Sequence, residues 1–97
     1  MATAGSVNER IAQQFYQKAG VLQERGDRFQ FRALSYVRAA RAIEQLDRGL
    51  DEIYERSWLA GLQKIKGIGN RLAHEIEREL KRNGLLSGAN RRQRGVN

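Results

Sequence analysis

The chemistry-bearing stretch of this chain runs Leu62-Gln63-Lys64-Ile65-Lys66-Gly67-Ile68-Gly69-Asn70-Arg71-Leu72-Ala73, a Gly-hydrophobic-Gly turn between two amphipathic segments. Glycine lacks Cβ, so Gly67 and Gly69 can take positive φ and let the main chain approach another surface closely. Their amides, with those of Asn70 and Arg71, open the helix that follows, where oriented N–H groups and the positive end of the helix dipole favour an anion. Such a device contacts a phosphate without reading a base. Ile68 is expected to turn inward and pin the turn to the core, while Lys64, Lys66 and Arg71 supply charge around it.

The rest of the chain has to position that turn. At 97 residues it forms one small domain with a single modest core. It has no Cys, which excludes a disulfide framework, a thiolate metal site and a cysteine nucleophile and fits a reducing cytoplasm. No apolar run approaches the roughly 18 residues of a membrane span, and the first six residues do not form a leader, so a soluble, untargeted cytoplasmic chain is expected. The net charge of +7 and pI near 10.6 draw the domain to an anionic partner. Residues 1–60 are nearly balanced, and +6 of that excess sits in residues 61–97, on the turn, the helix after it and the tail.

The apolar period is helical throughout. Ser6 and Glu9 form a capping box that opens a first helix over Val7 to Glu24, with Ile11, Phe15, the Lys18 stem or Ala19, and Leu22 inward. A second helix, from Asp27 or Arg28 to Leu46, turns Phe31, Leu34, Val37, Ala40 or the Arg41 stem, and Ile43 toward the core. Short helices follow over Leu50 to Arg56 and Trp58 to Lys64. The turn Ile65 to Gly69 then leads to a last helix, Asn70 to Arg82, with Leu72, Ala73, Ile76 and Leu80 on one side and Asn83-Gly84 as its stop. Residues 1–6 and 87–97 have too little to bury and are expected to be disordered. Arg91, Arg92 and Arg94 make the tail either a mobile cationic arm or a solvated end.

Three segments carry a family resemblance: Asn8-Glu9-Arg10-Ile11-Ala12; Phe31-Arg32-Ala33-Leu34-Ser35-Tyr36-Val37-Arg38-Ala39-Ala40-Arg41-Ala42-Ile43; and Leu62 to Gly69 followed by Leu72-Ala73 and Ile76. In order and spacing, residues 7–86 resemble the N-terminal helix-hairpin-helix domain of the X-family DNA polymerases, of the DNA polymerase β type. The resemblance implies an all-α fold, a compact bundle of four to five short helices with one helix-hairpin-helix motif. It also implies DNA binding through the hairpin amides, with an optional Na+ or K+ on the main-chain carbonyls of Gln63, Ile65 and Ile68. A 5′-phosphate pocket would fall on Phe31, Arg32, Tyr36 and Arg71, of which Arg32, Tyr36 and Arg71 keep phosphate-donor chemistry and Phe31 does not. The family's lyase reaction needs a lysine amine on the helix after the hairpin. That position is Glu75 here, and a carboxylate forms no imine, so no catalysis is expected unless Lys64, Lys66 or Lys81 stands in. Lys66 replaces the family's usual proline, adding a cation beside the phosphate site. These 97 residues offer no paired carboxylates that could be assigned to two-metal nucleotidyl transfer, so no polymerase chemistry is expected of them.

Other chemistry is thin. The one His, His74, contacts phosphate or is solvated, and without cysteine it makes no zinc site and no catalytic triad. Glu75, Glu77 and Glu79 read as helix-surface ion pairs. Trp58 stacks on DNA or packs at the rim of the core. Phe15, Phe29, Phe31 and Tyr54 fall at core spacing. The expected function is non-sequence-specific DNA binding, possible at gaps or 5′-phosphate ends in repair, through Lys64, Lys66, Gly67, Ile68, Gly69, Asn70, Arg71, Arg78 and Lys81, by a monomer working beside a catalytic protein partner. Alternatives are a protein-interaction module like the N-terminal domain of the Mus-type endonucleases, or a lyase with a relocated lysine.

Overall fold

The computed structural model describes the backbone of residues 2–82 and of Gly84, and side chains over residues 7–82. Four helices make up this part of the chain: α1 (Ala2–Glu24), α2 (Gln30–Glu44), α3 (Leu50–Gln63) and α4 (Asn70–Arg82), with a 3₁₀ turn at Asp27–Phe29 before α2. Among the described residues there is no strand, in keeping with the helical period. Among the described residues no helix is long and apolar enough to cross a membrane.

α1 packs along α2, and α3 packs against α4 across the hairpin. Ile11 and Phe15 of α1, Ile43 of α2, Leu50 and Leu62 of α3, and Ile76 and Leu80 of α4 are wholly buried and meet in one core. Each such side chain contributes about 1.5–3 kcal/mol relative to its exposed state. Gly26, at φ +120°, makes the sharp exit from α1.

Four expectations are corrected. α1 begins at Ala2, upstream of the capping signal, so Ser6 lies within the helix and is no N-cap. Ala2 and Ala4, strong helix formers, carry the helix back past the capping signal. α2 buries Ala33, Ala39, Ala40 and Ile43, whereas Phe31 is 85% exposed and Leu34 49% exposed. The alanines allow α1 to approach closely, and that close face turns the two larger side chains outward. Phe29 is only half-buried, in the 3₁₀ turn. Finally, Glu75 and Glu79 lie inside α4's buried face rather than on its surface, because α4 is covered by α3 on one flank and by the α1–α2 pair on the other.

The break expected between two short helices is present within α3. Trp58 takes φ 57° and ψ −150°, a conformation costing about 1–3 kcal/mol in a residue with Cβ. It is 61% exposed and packs edge-on against Tyr54, with ring centroids 5.4 Å apart, so it belongs to the rim of the core. Gly61 accommodates the kink: a Cβ there would lie 2.6 Å from Ser57 Cβ. The stop after α4 is also found, with Gly84 at φ +63° donating its N–H to Lys81 O. Asn83 and the expected tail, including Arg91, Arg92 and Arg94, lie outside the described residues.

Asn8 fastens the start of α3. Its Oδ1 accepts from Leu50 N–H at 2.8 Å, and its Nδ2 donates to Arg48 O at 2.9 Å, with the side chain buried. A residue of α1 thus serves as the cap that Gly49 has no side chain to provide. Asn8→Ala is expected to cost about 1–3 kcal/mol, mainly the penalty for orphaning the buried Leu50 N–H, and to lower Tm in thermal unfolding while leaving helical circular dichroism at room temperature intact.

Candidate nucleic-acid interface

The hairpin is closed by a short ladder. Ile65 N–H donates to Leu62 O, Ile68 N–H to Ile65 O at 3.1 Å, and Ala73 N–H to Gly69 O at 2.9 Å, the last being the first bond of α4. Gln63 Nε2 donates to Asn70 Oδ1 across the two ends of the turn. Ile68 is 4% exposed, the inward anchor expected of it.

The two glycines differ in role. Gly67 takes φ +95°, and a Cβ on it would meet Ala42 Cβ at 3.1 Å and Arg38 O at 3.6 Å, so it is required where the hairpin lies on α2. Gly69 is not at positive φ, and a Cβ there would point into open space. The fold does not require glycine at 69. Helix geometry leaves the N–H groups of the first turn of α4, at Asn70, Arg71 and Leu72, without intrahelical partners.

Between this hairpin and α2 runs a cleft of about 590 Å³. Gly67, Ile68, Gly69, Asn70 and Arg71 form one wall, and Arg32, Ser35, Tyr36 and Arg38 the other. The positions matched to hairpin amides and those matched to a phosphate pocket therefore belong to a single groove. Lys64 and Lys66 are exposed on the hairpin but do not line it. Arg78 is exposed two helical turns beyond Arg71 on the same face of α4. Lys81 turns toward α3, 4.0 Å from Glu77 and 6.0 Å from the centre of the Tyr54 ring, away from the cleft. Phe31 is exposed one residue from Arg32, and Ser35 Oγ donates to its carbonyl. His74 is exposed, its Nδ1 bonded to Asn70 O at 2.9 Å.

Behind the cleft lies an arrangement the sequence did not disclose. The Glu75 carboxylate accepts from Tyr36 Oη at 2.9 and 3.1 Å and from the Lys18 ammonium. Tyr36 in turn meets Phe15 edge-on with ring centroids 5.2 Å apart, and the Lys18 ammonium lies 5.8 Å from the centre of the Tyr36 ring. Burial, then the hydrogen bond and charge of Glu75, push the Tyr36 phenol up to about 12, with Arg71 and Arg32 acting in the opposite sense. Tyr36 is therefore a neutral donor at physiological pH. The other two acids keep helix-spaced partners, Glu77 with Lys81 and Glu79 with Arg82 at 3.7 Å, and Tyr54 Oη donates to Glu77 at 2.6 Å.

Arg38, Ser35 and Lys18 are the residues that sequence reasoning passed over. Arg38 and Ser35 follow from the periodicity of α2 once Arg32 is placed on the cleft. Lys18 carried no such signal, since its partner is far away in the chain. For a cation at the hairpin, Ile65 O already accepts one N–H and retains a second lone pair, and the expected donors are all neutral carbonyl oxygens, a set compatible with a monovalent ion. Among the described residues no cluster of His, Cys, Asp or Glu is suited to a metal.

Comparison with known proteins agrees with this geometry. The helix-hairpin-helix domain family matches residues 6–85, most of the chain and all four helices apart from the start of α1. No curated protein and no solved structure matches it. Domains of this family generally bind DNA without sequence specificity. An all-α bundle, a glycine hairpin anchored by Ile68 and a cationic cleft at the N-terminus of α4 make this chain a member of the helix-hairpin-helix domain family.

Proposed function

We propose that this domain binds DNA through the phosphate backbone and receives a strand terminus, a 5′-phosphate at a gap or end, in the cleft between the hairpin and α2. The observation that carries the reading is the convergence of Arg32, Tyr36, Arg38 and Arg71 with the amides of Gly69 to Arg71 in one groove. Guanidinium forks match phosphate oxygens bidentately and the first-turn amides add fixed donors, while Tyr36, whose one hydroxyl proton goes to Glu75, holds the α2 wall in place. Phosphate contacts hold register without reading sequence. The resemblance to the X-family polymerase domain points the same way and suggests a role in repair, with the domain monomeric and any catalysis supplied by a partner. A monovalent cation on the carbonyls of Gln63, Ile65 and Ile68 would steady the hairpin against the strand.

The domain itself is proposed to be non-catalytic. Imine formation needs an amine that has lost its proton. Lys18, the lysine that meets the family's lyase position, is engaged by the Glu75 carboxylate rather than left free to attack a carbonyl. A second reading, a protein-docking module, draws on the exposed Phe31 and Leu34, one turn apart on α2. The placement of Phe31 beside Arg32 suits an unpaired base stacked at the mouth of the cleft equally well.

Fluorescence anisotropy with a gapped duplex bearing a 5′-phosphate tests the binding. About five phosphate contacts from Arg32, Arg38, Lys64, Lys66 and Arg71 predict a slope near −4 in log K against log salt. Arg71→Ala should weaken binding roughly tenfold and flatten the slope by about 1. Salt-insensitive or absent binding contradicts the reading.

The glycines separate fold from contact. Gly69→Ala should leave Tm unchanged and weaken DNA binding several-fold, whereas Gly67→Ala should lower Tm, since Ala42 and the left-handed backbone both oppose a side chain there.

Borohydride treatment with an abasic-site oligonucleotide should trap no adduct. A covalent product lost in Lys18→Arg would establish a lyase.

A further inference from the structure

We propose that the phosphate cleft takes an internal phosphate as well as a terminal one, so that a strand can continue past it as unpaired nucleotides across α1, and a junction carrying a single-stranded 5′ flap binds more tightly than one whose strand ends in the cleft. This rests on the phosphate-cleft reading and adds the path by which the strand leaves. Its basis is a second cleft, of about 430 Å³, on the α1 side of the same two residues: Arg32 and Tyr36 line both grooves. A strand whose phosphate lies on Arg32 and Tyr36 therefore has a continuous route from the hairpin onto α1.

The second cleft has the chemistry of a single-strand groove. α1 lines it with the ammonium of Lys18 and the amides of Gln14 and Gln17, and the turn after α1 adds the guanidinium of Arg25. Among its described lining residues there is no Asp or Glu; Glu75, 8% exposed, lies behind Lys18 and Tyr36 as their shared acceptor. Val21 and Leu22 add apolar surface on which sugars and base faces can rest, and the planes of Arg25 and Arg32 can stack on bases. Gln14 Oε1 is buried without a hydrogen-bond partner, an acceptor suited to an exocyclic base amine. An acidic peptide bearing leucines would also meet cations and Val21 here. Continuity with the phosphate cleft favours the strand.

Two substrates decide it: a nicked junction with a 5′-phosphate, and the same junction extended by a 5′ flap of thymidines with 4-thiothymidine at the second position. The flap should tighten binding by about fivefold, a modest return for base stacking in such a groove, and irradiation should cross-link it to the α1 segment between Gln14 and Arg25. Gln17→Ala with Arg25→Gln should abolish that gain while the flap-free junction binds as before. Arg56→Gln, an exposed site outside both clefts, should retain the gain as the control for lost charge. Equal affinity for the two junctions, or a cross-link confined to the hairpin, overturns the inference and leaves the phosphate-cleft reading standing. Failure of both junctions to bind overturns both. If an acidic leucine-bearing peptide perturbs the Val21 and Leu22 amide resonances and the flap does not, the cleft is a protein-docking site and the strand path is wrong.

Discussion

The buried carboxylate of Glu75 fixes the relation between three of the four helices. It stands on α4 and takes its partners from α2, through the Tyr36 hydroxyl, and from α1, through the Lys18 ammonium. A carboxylate removed from water is tolerable only when its lone pairs are met, and loss of one partner would leave a charge stranded in the interior. The rotation of α2 is constrained accordingly. With Tyr36 drawn onto Glu75 and its ring set against Phe15, Arg32 and Arg38 face the hairpin, and Phe31 and Leu34 face outward. At the position where the polymerase domain it resembles carries a lysine nucleophile, this chain carries an internal anion that orders the cleft wall.

The hairpin uses its glycines for different ends. Gly67 buys close approach to α2, its missing side chain leaving room for Ala42, and Ile68 seals the contact from within. Gly69 faces open space at the start of α4, where the absence of a side chain benefits only something arriving from outside. Under the proposed function, the amides beside Gly69 would meet a phosphate without reading sequence. Such binding would discriminate by shape, because a terminus, a gap and a flap differ in where their phosphates and unpaired bases lie.

Much of this was legible in the chain. The hairpin, the apolar stripe of α4 and the break before Trp58 are local patterns, carried by residues within a few positions of one another, and they appear where periodicity and glycine spacing put them. The convergence of Arg32, Tyr36 and Arg71 came through resemblance. Glu75 and Lys18 escaped because the contact joins distant segments and because acids spaced along a basic helix ordinarily mark its surface. The same limit misplaced Phe31 and Leu34: the period of α2 is helical, but alanines rather than large side chains define its buried face, and which face wins is decided by α1 and by Tyr36. Ser6 failed as a cap for a simpler reason, since good helix formers precede it.

Whether hairpin and α2 act as one anion-binding cleft is decided by an amide and side-chain NMR titration of the domain with a short gapped duplex, with and without a 5′-phosphate, at low salt. Shifts are expected on Gly67 to Arg71 together with Arg32, Tyr36 and Arg38, with those on α2 enlarged by the terminal phosphate. Perturbation of the hairpin alone, unaffected by the phosphate, or of the exposed Phe31 and Leu34 surface without the hairpin, would rule out a single cleft.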